Sequence, residues 1–235
     1  MMNLKHLLEA WRGGLIVSCQ AATDSPLARP DIIAALALTA ELNGAIGVRI
    51  DGADNICAVR AGGVTVPVLG IEKKKRENSD VYITPTFESA ERIVAGGADV
   101  VALDGTARPR PNSETFHEIV GRIKAELNRP VMADIATYEE GVSAVEEAGA
   151  DCIGTTLAGY TPETAGLDAP AFALIEKLAM RVNVPVICEG RVQSTDDIRR
   201  AFECGAFAVV IGNAITGVDW LVRRYVSATK TGTNR

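Results

Sequence analysis

Pro185-Val186-Ile187-Cys188-Glu189-Gly190-Arg191 and, further along, Ala208-Val209-Val210-Ile211-Gly212-Asn213-Ala214-Ile215 decide how this chain folds. Each is a short apolar run that ends in glycine plus a polar residue, and the stretch between them, Asp196 to Cys204, carries a helical pattern. Strand, turn, helix, strand is the parallel βα repeat. When eight such units close into a barrel, the loops after strands seven and eight form a recurrent phosphate site. Glycine there lets backbone N–H groups approach an anion, and a short helix points its N-terminus at it. The two runs therefore predict a (β/α)₈ barrel that holds a phosphorylated small molecule, with Glu189 and Arg191 at its mouth.

Outward from this pair, the same alternation fills the chain. Eight apolar runs read as strands: Leu15 to Gln20, Ala45 to Asp51, Val66 to Lys73, Val100 to Asp104, Val131 to Ile135, Cys152 to Thr156, Val186 to Glu189 and Ala208 to Gly212. Helical stretches follow them, among them Pro30 to Leu42, Phe87 to Ala95, Tyr138 to Ala148 and Thr195 to Cys204. Gly97-Ala98-Asp99, Gly149-Ala150-Asp151 and Gly205-Ala206-Phe207 fit a glycine that ends a helix and leads straight into a strand. No linker, charge block or low-complexity segment interrupts the pattern, so residues 1–235 read as one domain. An open doubly wound sheet is the competing architecture, and it lacks its glycine fingerprint after strand one. Two loops are irregular: the polar run Glu72 to Asp80 with the extended piece Val81 to Pro85, and Ala158 to Gly166. Both fall on the side of the barrel where loops shape the site.

Composition narrows the function. The net charge of −6 and the 5% aromatic content argue against nucleic-acid binding. The apolar runs are strand-sized, too short for a membrane span. The N-terminus, Met1 to His6, reads as uncleaved, and five cysteines without metal or CxxC spacing fit reduced thiols in the cytoplasm. The two histidines, His6 and His117, sit in helical stretches. Proton transfer then falls to Lys, Glu or Asp.

The strand ends carry the reactive groups: Gln20, Arg49 with Asp51, Lys73, Asp104, Asp134, Thr155 with Thr156, Glu189 with Arg191, and Asn213. The opposite ends begin with glycine or proline. That asymmetry favours an enzyme, because all eight strands point one way and their ends share a cavity. Each residue also has a structural reading. Lys73 lies in a run of cations that could be a solvated loop. Glu189 could pair with Arg191, Arg49 with Asp51, and Asp134 could cap a helix with Thr137. Cys19 and Cys188 have no histidine nearby to activate them and read as core residues.

At these residues the chain resembles the N-acetylmannosamine-6-phosphate 2-epimerase family. The matching blocks include Gly13-Gly14-Leu15-Ile16-Val17-Ser18-Cys19-Gln20, Val48-Arg49-Ile50, Gly70-Ile71-x-Lys73, Tyr82-Ile83-Thr84-Pro85-Thr86, Met132-Ala133-Asp134, Glu189-Gly190-Arg191 and Gly212-x-Ala214-Ile215-Thr216. The resemblance covers nearly the whole chain. It implies a barrel without metal or organic cofactor that interconverts N-acetylmannosamine 6-phosphate and N-acetylglucosamine 6-phosphate, a step in sialic acid breakdown. It also implies Lys73 as base, Glu189 as its acidic partner, and Gln20, Arg49, Thr84 and Asp134 as substrate contacts. Gly190, Arg191, Gly212 and Asn213 would hold the phosphate. Three departures stand out: Asn213 where serine is usual, Ile135-Ala136 after the aspartate, and the cation run Lys73-Lys74-Lys75-Arg76. Counting from Gly70 selects Lys73, and strand alternation turns Lys74 away.

Three other functions compete. Lys73 could form a Schiff base in an aldolase-type barrel, or the barrel could bind a phosphosugar without turning it over. A metal-dependent ribulose-phosphate epimerase is disfavoured by the shortage of histidines. A homodimer is compatible with the sequence but not fixed by it.

Overall fold

The computed structural model describes residues 8–76 and 79–230. His6 and the N-terminal segment read as uncleaved lie outside the described residues. Eight parallel strands close a barrel in sequence order: β1 (Leu15–Cys19), β2 (Gly47–Asp51), β3 (Val68–Ile71), β4 (Val100–Asp104), β5 (Val131–Asp134), β6 (Cys152–Gly154), β7 (Val186–Glu189) and β8 (Ala208–Ile211). The register Leu15↔Val209 joins β8 to β1 and completes the ring. The helices are α1 (Pro30–Leu42), α2 (Ala53–Ala61), α3 (Phe87–Ala95), α4 (Phe116–Arg122, continued by a π turn at Ile123–Leu127), α5 (Tyr138–Glu146), α6 (Phe172–Arg181), α7 (Thr195–Glu203) and α8 (Val218–Lys230). The predicted barrel stands, and the open sheet does not.

Strand alternation sorts the side chains. Outward residues such as Val48, Ile50, Val101 and Leu103 pack under the first helices, and Ile153, Cys188 and Val209 pack under the later ones. Inward residues fill the barrel itself: Ile16, Leu69, Ile71, Val100, Ala102, Met132, Cys152, Ile187, Ala208 and Val210, with Trp11 fully buried in the same cluster. A barrel packed solid in this way leaves room for a ligand only at its C-terminal rim.

The helices start on side-chain caps where the sequence offers them. Thr86, Thr115, Thr137 and Ser194 each accept a bond from the backbone of the first turn. Gly97, Gly149 and Gly205 take φ values of 107°, 74° and 90°, left-handed backbone that a Cβ would strain, and so turn helix into strand as predicted.

Several strands end a residue or two earlier than their apolar runs. β3 is the informative case, since it stops at Ile71 and not at Lys73. The segment after the polar loop folds back on it: Lys73 pairs antiparallel with Ile83, Lys74 N–H donates to the Tyr82 carbonyl (2.8 Å), and Thr84 N–H donates to that of Glu72 (2.8 Å). This fold-back fixes the direction of Lys73.

Candidate active site

The next inward position above the apolar layer is polar on most strands. Two residues beyond Ile16, Gly47, Ile71, Ala102, Met132, Cys152 and Ile187 come Ser18, Arg49, Lys73, Asp104, Asp134, Gly154 and Glu189. The period of two that buries the core therefore delivers these groups to one rim.

Arg49 is the centre of that layer, 1% exposed. Its guanidinium grips Asp134 with two parallel bonds, Nη1 to Oδ1 at 3.0 Å and Nη2 to Oδ2 at 2.6 Å, while Nη1 also donates to Glu189 Oε2 at 2.8 Å. Thr156 Oγ1 donates to Asp134 Oδ1 (2.6 Å). One cation thus serves two carboxylates in a dry setting, where each must be paired to be tolerated. Burial alone would push the guanidinium pKa down, but Asp134 and Glu189 hold it above its ordinary value. Glu189 titrates far from the usual carboxylate range. Burial drives its pKa up to about 7, against the pull of Arg49 and with the help of Asp134. The pairings read from local sequence are not those found: Arg49 reaches across the barrel instead of to Asp51, and Glu189 pairs with Arg49 instead of Arg191. Thr137, not Asp134, caps α5.

Lys73 lies across the rim from Glu189. Its ammonium donates to the Gln20 side-chain oxygen, Gln20 is in turn held by a bond from its amide to Ser18 Oγ (2.6 Å), and the Lys73 backbone N–H is tied to Asp51 Oδ1 (2.8 Å). Desolvation lowers the Lys73 pKa and Arg49 adds to the depression, while Asp51, Glu189 and Asp134 oppose it. The side chain still meets solvent on its outer side. A ligand across the mouth would remove that water and lower the value further. Lys74 and Lys75 are exposed like Lys73, and what sets Lys73 apart is its ammonium's bond to Gln20 and the tie of its backbone to Asp51.

The ends of β7 and β8, where the phosphate is expected, carry amides without backbone partners. Among the described residues, the amides of Gly190, Arg191, Asn213 and Ala214 donate to no backbone carbonyl, and Gly190 and Arg191 take φ of 106° and 58°. Successive free amides in turned backbone make an anion-binding concavity. The Arg191 side chain is committed elsewhere. It donates to the carbonyls of Ala158 (2.7 Å) and Gly159 (3.0 Å), and its guanidinium stacks 4.0 Å from the Tyr160 ring centroid. Arg191 thus ties the loop after β6 to the end of β7. Gly212 sits against Ser18, where a Cβ would come within 3.3 Å of that side chain.

Thr84 is fully buried, its hydroxyl donating to the Ala102 carbonyl (2.6 Å) and accepting from Glu72 N–H (3.1 Å). In this geometry it holds the fold-back after β3. Cys19 and Cys188 are buried, and burial pushes both thiols up to about 12, which suits core residues and not nucleophiles. Asp51 and Thr156 were visible as strand-end residues but not as supports of Lys73 and Asp134. Tyr82 stands two residues before Thr84 in the same motif.

Comparison with known proteins shows what the whole chain is similar to. The model of the family described as "Putative N-acetylmannosamine-6-phosphate epimerase" matches residues 33–231. A relative of that description from Synechococcus elongatus is 49% identical over 97% of this chain and 98% of its own length. Another, from Caldanaerobacter subterraneus, is 44% identical over 95% of this chain and 94% of its own. The solved structure of the N-acetylmannosamine-6-phosphate 2-epimerase from Clostridium perfringens superposes with a TM-score of 0.91 at 37% identity, covering 97% of this chain and 98% of that one. By the extent of these matches and by its closed eight-stranded barrel, the chain belongs to the N-acetylmannosamine-6-phosphate epimerase family of isomerases.

Proposed function

We propose that this barrel interconverts N-acetylmannosamine 6-phosphate and N-acetylglucosamine 6-phosphate, with Lys73 as base and Glu189 as its acidic partner. The observation that carries the reading is the rim itself: an ammonium and a carboxylate in one inward layer, each pushed toward its neutral form. Inverting C2 requires removing the proton α to the aldehyde of the open-chain sugar and returning one to the other face. Neutral Lys73 takes the proton, and protonated Glu189 supplies it from across the mouth. The phosphate rests on the free amides after β7 and β8, far from C2, and this anchoring lets the planar enolate be reprotonated on either side. Arg49 is covered, so its part is to hold Asp134 and Glu189 in place. Gln20, which already shares the Lys73 ammonium, is the contact proposed nearest the aldehyde end.

The setting implied by family resemblance is amino-sugar and sialic acid catabolism in the cytoplasm. The five cysteines are free, and no helix of the described residues is long and apolar enough to cross a membrane. A homodimer is part of the proposal, supported by the exposed Val218, Val222, Tyr225 and Val226 on α8.

The pH profile tests the acid–base pair. The active form needs Glu189 protonated and Lys73 neutral, opposite to the order in which they lose protons. The kcat/KM profile should therefore be a bell, with one limb near 7, where Glu189 ionises, and the other at the lowered Lys73 value. In Glu189→Gln the residual activity should lose the limb near 7, because an amide does not titrate. A limb near 7 that survives the substitution belongs to another group and removes Glu189 from the role.

Arg191 offers a test of the phosphate arm. Arg191→Ala should raise KM for the phosphorylated sugar severalfold or more, by releasing the loop after β6 and removing a positive charge from the end of β7. An unchanged KM would place the phosphate elsewhere.

A further inference from the structure

Tyr82 has an unusual position. Its ring packs, half-buried, on the barrel-interior cluster that contains Ile71, Ile83 and Leu157, yet its hydroxyl has no hydrogen-bond partner among the described residues. A tyrosine with a packed ring normally finds a partner for its O–H. The groups in electrostatic reach of this one are Asp134 and Asp104 from the rim, Arg108 from the loop after β4, and Tyr160 from the loop after β6. Burial and the two aspartates raise its pKa, so the phenol stays protonated and available as a donor. Arg108, one of these groups, is held by two bonds. Its Nη2 donates to the buried Asp104 (2.7 Å) and its Nε to Thr106 Oγ1 (2.9 Å), which leaves Nη1 without a protein acceptor among the described residues.

The ligand class follows from where the rest of the sugar must lie, and so rests on the reaction proposed above. With phosphate on β7 and β8 and C2 between Lys73 and Glu189, the sugar crosses the mouth, and the wall left for the nitrogen substituent at C2 is the β4–β6 side. That wall offers an aromatic face for an apolar acyl group and unpaired donors for its carbonyl oxygen, the two things an N-acyl amide needs. We infer that Tyr82, seconded by Arg108, receives the N-acyl group of the substrate and makes the enzyme selective for N-acylated sugar phosphates. The step involves no bond making. Tyr82 binds and orients, and the proton at C2 remains the business of Lys73 and Glu189.

Inhibition by paired ligands tests this in the intact protein. N-acetylglucosamine 6-phosphate and glucose 6-phosphate share the phosphate and differ at C2, where the second has no acyl group. Tyr82→Phe keeps the ring and deletes the donor. The inhibition or Michaelis constant for the N-acetyl sugar should rise roughly 3- to 10-fold, the worth of one net hydrogen bond, while that for glucose 6-phosphate stays put. Loss of packing would shift both constants together, so a parallel shift overturns the assignment, as does no shift in either. If the parent protein fails to epimerise N-acetylmannosamine 6-phosphate, the underlying reaction is refuted and this inference falls with it. A working parent with an indifferent Tyr82→Phe refutes the acyl contact alone.

Discussion

Lys73→Ala should lose C2 proton exchange and net epimerisation together, by roughly 10³-fold, within the range a positioned general base supplies. The residue reaches solvent and lies beyond the last residue of β3, so the barrel should fold without it. Loss of activity then reports chemistry and not collapse, which circular dichroism and thermal melting can check. The neighbouring cations make the control sharp. Lys74→Ala and Lys75→Ala should keep most of their activity, since among the three lysines it is Lys73 whose ammonium is bonded to Gln20 at the rim. The opposite pattern, with Lys74→Ala dead and Lys73→Ala active, would put the base one residue along. A stable covalent adduct after borohydride treatment with substrate would instead favour the Schiff-base alternative, for which a proton-transferring lysine has no use.

The second large effect is expected at Arg49, and it is structural as well as functional. Arg49→Leu would leave Asp134 and Glu189 facing each other without the cation that both contact. Breaking a buried ion pair from one side typically costs about 3–5 kcal/mol, because the remaining charge has neither water nor partner. The cost should depend on pH in a definite direction. Removing the cation raises the Glu189 pKa further above its unfolded value. The variant is then least impaired at acid pH, where the group is protonated, and loses stability as pH rises through and beyond 7. Chemical denaturation at pH 5.5 and 8 measures this. Arg49→Lys should recover only part of the loss, because an ammonium cannot reproduce the two-pronged grip on Asp134. An Arg49→Leu protein with parental stability at both pH values would mean the network is not what holds this layer.

The barrel was legible because its evidence is local and repeated: an apolar run of strand length, a glycine or proline at its start, and a polar residue at its end. The polar rim was legible for the same reason. Arg49, Asp134 and Glu189 all stand two positions beyond an inward residue, so strand period alone points them at one cavity. What a strand pattern cannot reveal is partnership across the ring. Arg49 lies 85 residues from Asp134 and 140 from Glu189, while Asp51 and Arg191, each two residues from one member of the pair, were the nearer choices on paper.

The fold-back after β3 was hidden for a different reason. Thr84 takes a φ of 43°, where strand alternation fails, so the motif Tyr82-Ile83-Thr84 does not disclose which side chain meets the mouth. The structure buries Thr84 as a brace and leaves the Tyr82 hydroxyl free. Arg191, at φ 58°, presents the same problem. Sequence places it at the phosphate pocket, but its left-handed backbone and the carbonyls of Ala158 and Gly159 decide where its guanidinium goes.

The central claim is that two groups at the barrel mouth move a proton at C2 of a phosphorylated N-acetyl sugar. Incubation of the protein with N-acetylmannosamine 6-phosphate in D₂O, followed at C2 by proton NMR, tests it most directly. The account predicts that N-acetylglucosamine 6-phosphate accumulates with deuterium at C2, and that Lys73→Ala yields neither epimer nor label. Epimer that retains its C2 protium, or a substrate returned unchanged and unlabelled by the parent protein, would contradict it.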